Sequence, residues 1–300
     1  MTRDPPPLAE VAAVAQRLAV LLAAGVAPAS AWRHVAEGSS SPVPMAVTEG
    51  DAVDAAILAV SETLPALEAG GWRGLAACWS VATDSGTPLA PSLRDYAASL
   101  RSLAQAQREV QVALAGPVAT ARMVMALPLV GMLFGLVLGF NTFAILFTTL
   151  PGLLCLVVGG GLMLLAARWN ARMVRAAQPE NASPGLEFDL MAIAAAGGGS
   201  IGQARSALDK AVVRFGLSAR PERVDPVLDL SRRAGVPAAE LLRSEAHEAR
   251  RLARADAQQK AATLAVRLML PLGLCVLPAF MVLGVLPLMI SVIMTTVSGF

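Results

Sequence analysis

Apolar residues fall into two patterns along this chain, and the patterns alternate. In the first they recur every three or four positions among Ala, Glu, Gln and Arg, the spacing of an amphipathic helix. Leu8, Val11, Ala15, Leu18 and Leu22 form such a stripe, and Gly25 is placed to close it as a C′ residue. Pro28 opens a second helix over 28–37, because proline is tolerated in a first helical turn. Residues 38–50 are rich in Ser, Pro and Gly, which predicts an exposed, mobile loop. A helix follows near 51–64, and Trp72, Leu75, Trp79 and Ala82 make the stripe of another that ends at Gly86. Thr87 stands where it could cap the next helix, with Pro88 in its first turn. That helix runs long, from 88 through 122 into the apolar stretch that follows.

In the second pattern the charged positions disappear. Residues 123–167 are forty-five positions without one Asp, Glu, Lys or Arg, and 268–300 are another thirty-three. About 20 apolar helical residues cross a bilayer core, so the first run suits two spans joined by a tight turn and the second at least one. The turn lies at 139–142 or at 148–152, the second being preferred because Pro151-Gly152 is the stronger turn signal. Because the final run exceeds one crossing, it either spans once or folds back, at Pro278 or over 284–287. No run of Val, Ile, Thr and aromatics alternates with polar residues, so nothing reads as strand. The chain is therefore an all-α membrane protein with three transmembrane helices: a helical domain at 1–122, a transmembrane hairpin at 123–167, a second helical domain at 168–266 and a C-terminal transmembrane helix at 267–300.

The second helical region restates the first. A helix over 185–196 is broken by Gly197-Gly198-Gly199, and Ser200 to Gln203 have the Ser-x-x-Gln spacing of a capping box. Ala204, Leu208, Val212 and Phe215 form the next stripe, Asp225-Pro226 starts a helix that Gly235 ends, and Pro237 opens a long helix leading to the last apolar run. An offset of 149 takes Gly86 to Gly235, Pro88 to Pro237, Leu93 to Leu242, Arg94 to Arg243 and Arg101 to Arg250. Upstream, Gly25 and Ala31 align with Gly198 and Ala204, the shorter gap being absorbed by loss of the Ser/Pro loop, and Pro128 matches Pro271. The two helical domains thus read as a repeat, with four to six helices in each copy.

Charge changes the picture by setting sides. The net charge of +2 conceals −3 over 1–122 and +5 over 168–267. Arg101, Arg108 and Arg122 precede the hairpin, Arg168, Arg172 and Arg175 follow it, and Arg254, Lys260 and Arg267 precede the last run. By the positive-inside rule all three flanks are cytoplasmic, which puts the N-terminus and both soluble domains inside and the C-terminus at the outer face. Residues 1–7 carry no apolar h-region, so a cleaved signal peptide is not expected.

The duplicated order and the motifs GVAPASA (25–31), SGTPL (85–89), AGVP (234–237) and LPLGLCVLPAFMVLGVLP (270–287) resemble the type II secretion F-domain family. These are inner-membrane platform proteins of type II secretion and type IV pili, and the closing stretch is most similar to the tight-adherence (Tad) pilus branch. The resemblance covers nearly the whole chain and rests on turns and a span rather than on catalytic residues. It implies a cytoplasmic helical bundle per repeat, a bacterial inner-membrane location, a cytoplasmic secretion ATPase as partner, and pilin or pseudopilin subunits passing at the membrane. A homodimer, or a heterodimer with a paralogous platform protein, also follows from it; no nucleic acid and no cofactor are implied.

Candidate chemistry is sparse. His34 and His247 lie in different repeats without Cys partners and read as surface histidines; Cys78, Cys155 and Cys275 are scattered and read as small apolar fillers. No Gly-Lys-Ser/Thr follows Gly197–Ser200, so no phosphate loop is present. The apolar runs hold no ionisable residue, whereas proton and ion pathways usually need them. A transporter or channel component is therefore the alternative to a non-enzymatic platform, and a membrane enzyme lacks any nucleophile–base or metal constellation. Two features point to assembly. Gly131, Gly135 and Gly139 fall on one face of the first span, where small residues admit a neighbouring helix. Arg94, Arg101 and Arg108, and likewise Arg243, Arg250 and Arg254, make basic stripes on the helices leading to the spans. These suit a solvated face, the anionic leaflet, or docking of the ATPase.

Overall fold

The computed structural model describes residues 7–50, 52–137, 147, 149–176, 183–267, 270, 272–287, 289–290 and 293. Among these the chain is helical and no strand occurs. In order the helices are α1 (Pro7–Ala23), α2 (Pro28–Glu37), α3 (Pro42–Glu49), α4 (Val53–Ser61), α5 (Ala66–Ser85), α6 (Leu89–Val137), α7 (Leu150–Ala176), α8 (Leu186–Ala196), α9 (Ile201–Arg214), α10 (Asp225–Ala234) and α11 (Ala238–Arg267). A 3-10 turn, Pro221–Val224, precedes α10, and the short α12 (Leu277–Phe280) is flanked by π turns at Leu272–Val276 and Met281–Val285. The chain divides into two compact units, one of residues 1–108 with 179–256 and the other of 109–178 with 257–300.

The first unit is built on one hydrophobic core. Leu18, Trp32, Trp72, Leu75, Leu93 and Leu100 enter it from the earlier helices, and Leu190, Met191, Leu208, Phe215 and Leu242 from the later ones. The helical stretches that the sequence separates as 1–122 and 168–266 therefore share a core, instead of each closing its own. The α1 stripe is buried at Leu8, Val11, Ala15 and Leu18, as its spacing predicts. Residues 38–50 differ from the expected loop. Glu10 accepts hydrogen bonds from the Ser39 and Ser40 hydroxyls and from the Ser41 backbone N–H, at 3.0, 2.8 and 2.7 Å. Ser41 then caps α3, whose Val43 and Val47 are buried. Serines read as flexible are instead the donors that one carboxylate gathers. The Ser200–Gln203 capping box forms as expected. Thr87 does not cap α6; its hydroxyl donates to the Ile193 carbonyl at 2.8 Å.

In the second unit Val110, Ala257, Ala261 and Leu264 form one small core, and Ala166, Cys275 and Val276 another. Helix α7 starts at Leu150, with Thr149 at its entry: the Gly152 N–H donates to the Thr149 hydroxyl at 3.2 Å. Pro151 and Gly152, read as the turn, therefore sit in the first helical turn, where a missing N–H costs nothing. The alternative turn at 139–142 lies outside the described residues. Residues 150–173 are a helix of 24 residues with a mean hydropathy of 2.2, the one candidate span among the described residues. Its Leu150, Leu154, Val157 and Leu164 side chains are more than 60% exposed, an apolar surface of the kind that lipid covers. The segment from 272 to 287 is helical throughout, so Pro278 is no fold-back point; the π turns accommodate a proline that cannot donate to the helical ladder.

Candidate functional site

Helix α8 occupies the centre of the first unit. Every residue from Leu186 to Ala194 is buried, the condition of a helix enclosed on all sides. At its far end the chain passes so close to α5 that a Cβ on Gly197 would lie 2.1 Å from the Ser85 carbonyl oxygen. Only glycine permits that approach.

Two of the buried residues are acids in the first helical turn, where the helix dipole favours negative charge. Asp189 receives the Arg250 guanidinium of α11 at 2.7 Å, and the two side chains are 10% and 8% exposed. Burial pushes the Asp189 carboxyl up to about 6, opposed by the Arg250 charge and hydrogen bond and reinforced by Asp95 and Glu187. Glu187 pairs at 2.8 Å with Arg223, which also lies 5.1 Å from the centre of the Phe188 ring. Beside them the Tyr96 hydroxyl donates to the Gly71 carbonyl at 2.7 Å in a buried position. Burial raises the Cys78 thiol well above its usual range, with Asp189 adding to the effect, so it stays protonated and inert. The two ion pairs brace α8 against the 3-10 turn at 221–224 and against α11. A buried ion pair fixes which helices meet, since either charge alone would be strongly unfavourable there.

Arg250 therefore does not belong to the solvent- or lipid-facing stripe in which the sequence placed it, because Asp189 holds it in the core. The other arginines separate as well. Arg94 and Arg108 are exposed. Arg101 donates to the Gln16 side-chain carbonyl of α1 at 2.5 Å. Arg243 approaches Asp95 at 3.7 Å, and Arg254 is half-buried. His34 and His247 are exposed, and the three cysteines are buried and unbridged. Of the glycine face, Gly131 and Gly135 lie within α6 and Gly139 lies outside the described residues. In the second unit a close glycine contact lies elsewhere: a Cβ on Gly159 of α7 would stand 2.3 Å from Leu283 Cγ.

Sequence reasoning passed over Glu187, Asp189 and Gln16. The signal for the first two was present, since two acids in the otherwise apolar LEFDLMAIAAA (186–196) must be buried with partners.

Residues 14–137, from within α1 to the described end of α6, match the family model described as type II secretion system (T2SS), protein F. That family is associated with inner-membrane platform proteins of secretion and pilus systems, which are structural and not enzymes. No curated protein and no solved structure matches the chain significantly.

Proposed function

We propose that this chain is a non-enzymatic inner-membrane platform that couples a cytoplasmic secretion ATPase to pilin or pseudopilin movement, in a Tad or type IV pilus or a type II secretion-like machine. The observation that carries the reading is the protein F match over 14–137. It covers the earlier helices of the first unit, from within α1, and continues along α6 into the start of the first apolar run.

The topology is three spans with both helical regions in the cytoplasm. The shared core supports it on physical grounds. Residues 1–108 and 179–256 belong to one compact unit, and a water-facing core cannot be assembled across a bilayer. A hairpin over 123–167, crossing twice with 150–173 as its second arm, is compatible with that arrangement.

Duplication is part of the proposal. The pair Gly86 and Gly235 both end helices in the left-handed region, at φ 68° and 69°, and Gly25 and Gly198 do so at 87° and 80°. Leu93 and Ala97 are fully buried, as are Leu242 and Ala246 at the offset of 149.

The test has two arms. Deleting the gene should abolish pilus assembly or secretion, restored by the wild-type chain. The purified chain should bind the cognate ATPase while turning over no ATP itself. Intact pili and secretion after deletion, or ATP turnover by the chain that a substitution within it abolishes, would sink the reading.

A further inference from the structure

The gap that aligns Gly25 with Gly198 also sets Gln16 of α1 against Asp189 of α8, and the offset of 149 sets Arg101 against Arg250. The two arginines make the same kind of contact. Arg250 reaches Asp189 at 2.7 Å, and Arg101 reaches Gln16 at 2.5 Å. Where the second copy holds a carboxylate, the first holds a neutral amide.

The consequence is a groove between α1 and α6 with unbalanced charge. It has a volume of about 550 Å³ and is lined by Gln16, Arg17, Arg101, Gln105 and Arg108 around four alanines. No acid lines it. Arg17, Arg101 and Arg108 are exposed, and none of the three is ion-paired among the described residues. Arg17 spends one donor on the Gly38 carbonyl at 3.1 Å, which holds its guanidinium beside the groove. Alanines at Ala9, Ala12, Ala13 and Ala104 leave a floor low enough for another helix to settle.

We propose that this groove docks an acidic helical segment of a partner protein, whose carboxylates take at Arg101 the place that Asp189 takes at Arg250. Carboxylate is the ligand that the second copy displays on this contact, and guanidinium groups bind it in the bidentate geometry that ammonium groups do not. A concave, alanine-floored groove fits a helix better than the flat surface of a bilayer. The inference deepens the platform reading and rests on it for the partner's identity and on the duplication for the choice of carboxylate. The groove and its charges stand without either.

The test uses the full chain in nanodiscs of zwitterionic lipid. The probe is a fluorescein-labelled Ala/Glu peptide of about 20 residues, long enough to form helix, compared with a twin carrying Gln for every Glu. The Glu peptide should bind at least about tenfold tighter than its twin, the scale of losing one charge-assisted contact. Arg17→Ala with Arg101→Ala should lower its affinity by a similar factor. So should Gln16→Glu, a conservative change at a half-buried surface position that supplies the missing carboxylate from within. Arg33→Ala, on α2 and bonded among the described residues to the Ser30 hydroxyl, should leave binding unchanged. Equal binding of the twins, or indifference to Gln16→Glu, overturns the proposal. So does a response to the arginine substitutions seen with anionic vesicles and not with the peptide, which would make the groove a lipid contact. None of these readouts depends on pili or secretion, so failure of the groove and failure of the platform reading are separately visible.

Discussion

Arg101 and Arg250 occupy related places on two long helices, and the same contact has opposite character in each. On α11 the guanidinium meets a carboxylate in the core, and both groups are about 90% covered. On α6 it meets the amide of Gln16 at the surface. The difference begins one helix earlier: α1 is amphipathic and leaves Gln16 at its edge, whereas α8 is enclosed along its first nine residues. One interaction can therefore act as an internal brace or as an open site, depending on how deeply the partner helix is buried.

The largest effect that breaks the comparison is loss of the braced arginine. Arg250→Ala strands a buried carboxylate and should cost about 3–5 kcal/mol, whereas Arg101→Ala should cost about 0–1 kcal/mol. Urea unfolding in mild detergent, followed by tryptophan emission, checks both. Trp32 and Trp72 are buried in the first unit and report on it. Equal losses would mean that the two contacts are energetically alike.

The next effect is pH dependence. Asp189 has its carboxyl raised to about 6 by burial, against about 3.9 for an unfolded chain. Between those values the folded state binds the proton and the unfolded state does not. The contribution of this group is therefore fully present below pH about 4 and is lost as pH rises through about 6, a change of about 3 kcal/mol. Asp189→Asn should flatten that dependence. Gln16→Ala should leave it unchanged, since an amide does not titrate. A slope that survives Asp189→Asn would assign it to another group.

How much of this was legible in the sequence follows the same division. The stripes of α1, α5 and α9, the capping box at Ser200 and the helix-ending glycines were readable because spacing and local backbone needs determine them. The burial of Arg250 was not. A stripe of arginines at heptad spacing looks solvated from its own helix, and only the acids on α8, over 60 residues away in sequence, decide otherwise. Residues 38–50 misled for a related reason, because the serines there are ordered by Glu10 across some 30 residues. The shared core was also invisible, since a repeat in sequence says nothing of whether its copies fold separately. The glycine face at Gly131, Gly135 and Gly139 stays an assembly surface by proposal, while the contact at Gly159 depends on Leu283 more than 100 residues later.

A smaller effect sharpens the duplication. Gly86 and Gly235 share a left-handed φ near 69°, and a Cβ at either would meet no atom within 4 Å. With steric room in both places, only backbone strain opposes alanine, at about 1–2 kcal/mol. Gly86→Ala and Gly235→Ala should therefore cost the same within a few tenths of a kcal/mol in the same unfolding assay. A clear inequality would separate the two turns and weaken the duplication.

The measurement that bears most directly on the platform account is the sidedness of the two halves of the first unit. Met45 and Ser218 are exposed, one in each half, and the native cysteines are buried, so single cysteines at these positions can be labelled in intact cells over a low background. The account predicts that neither Met45→Cys nor Ser218→Cys reacts with a membrane-impermeant maleimide until the inner membrane is opened, and that both then react. Labelling of one position in intact cells and of the other only after permeabilisation would put the halves on opposite sides and contradict it.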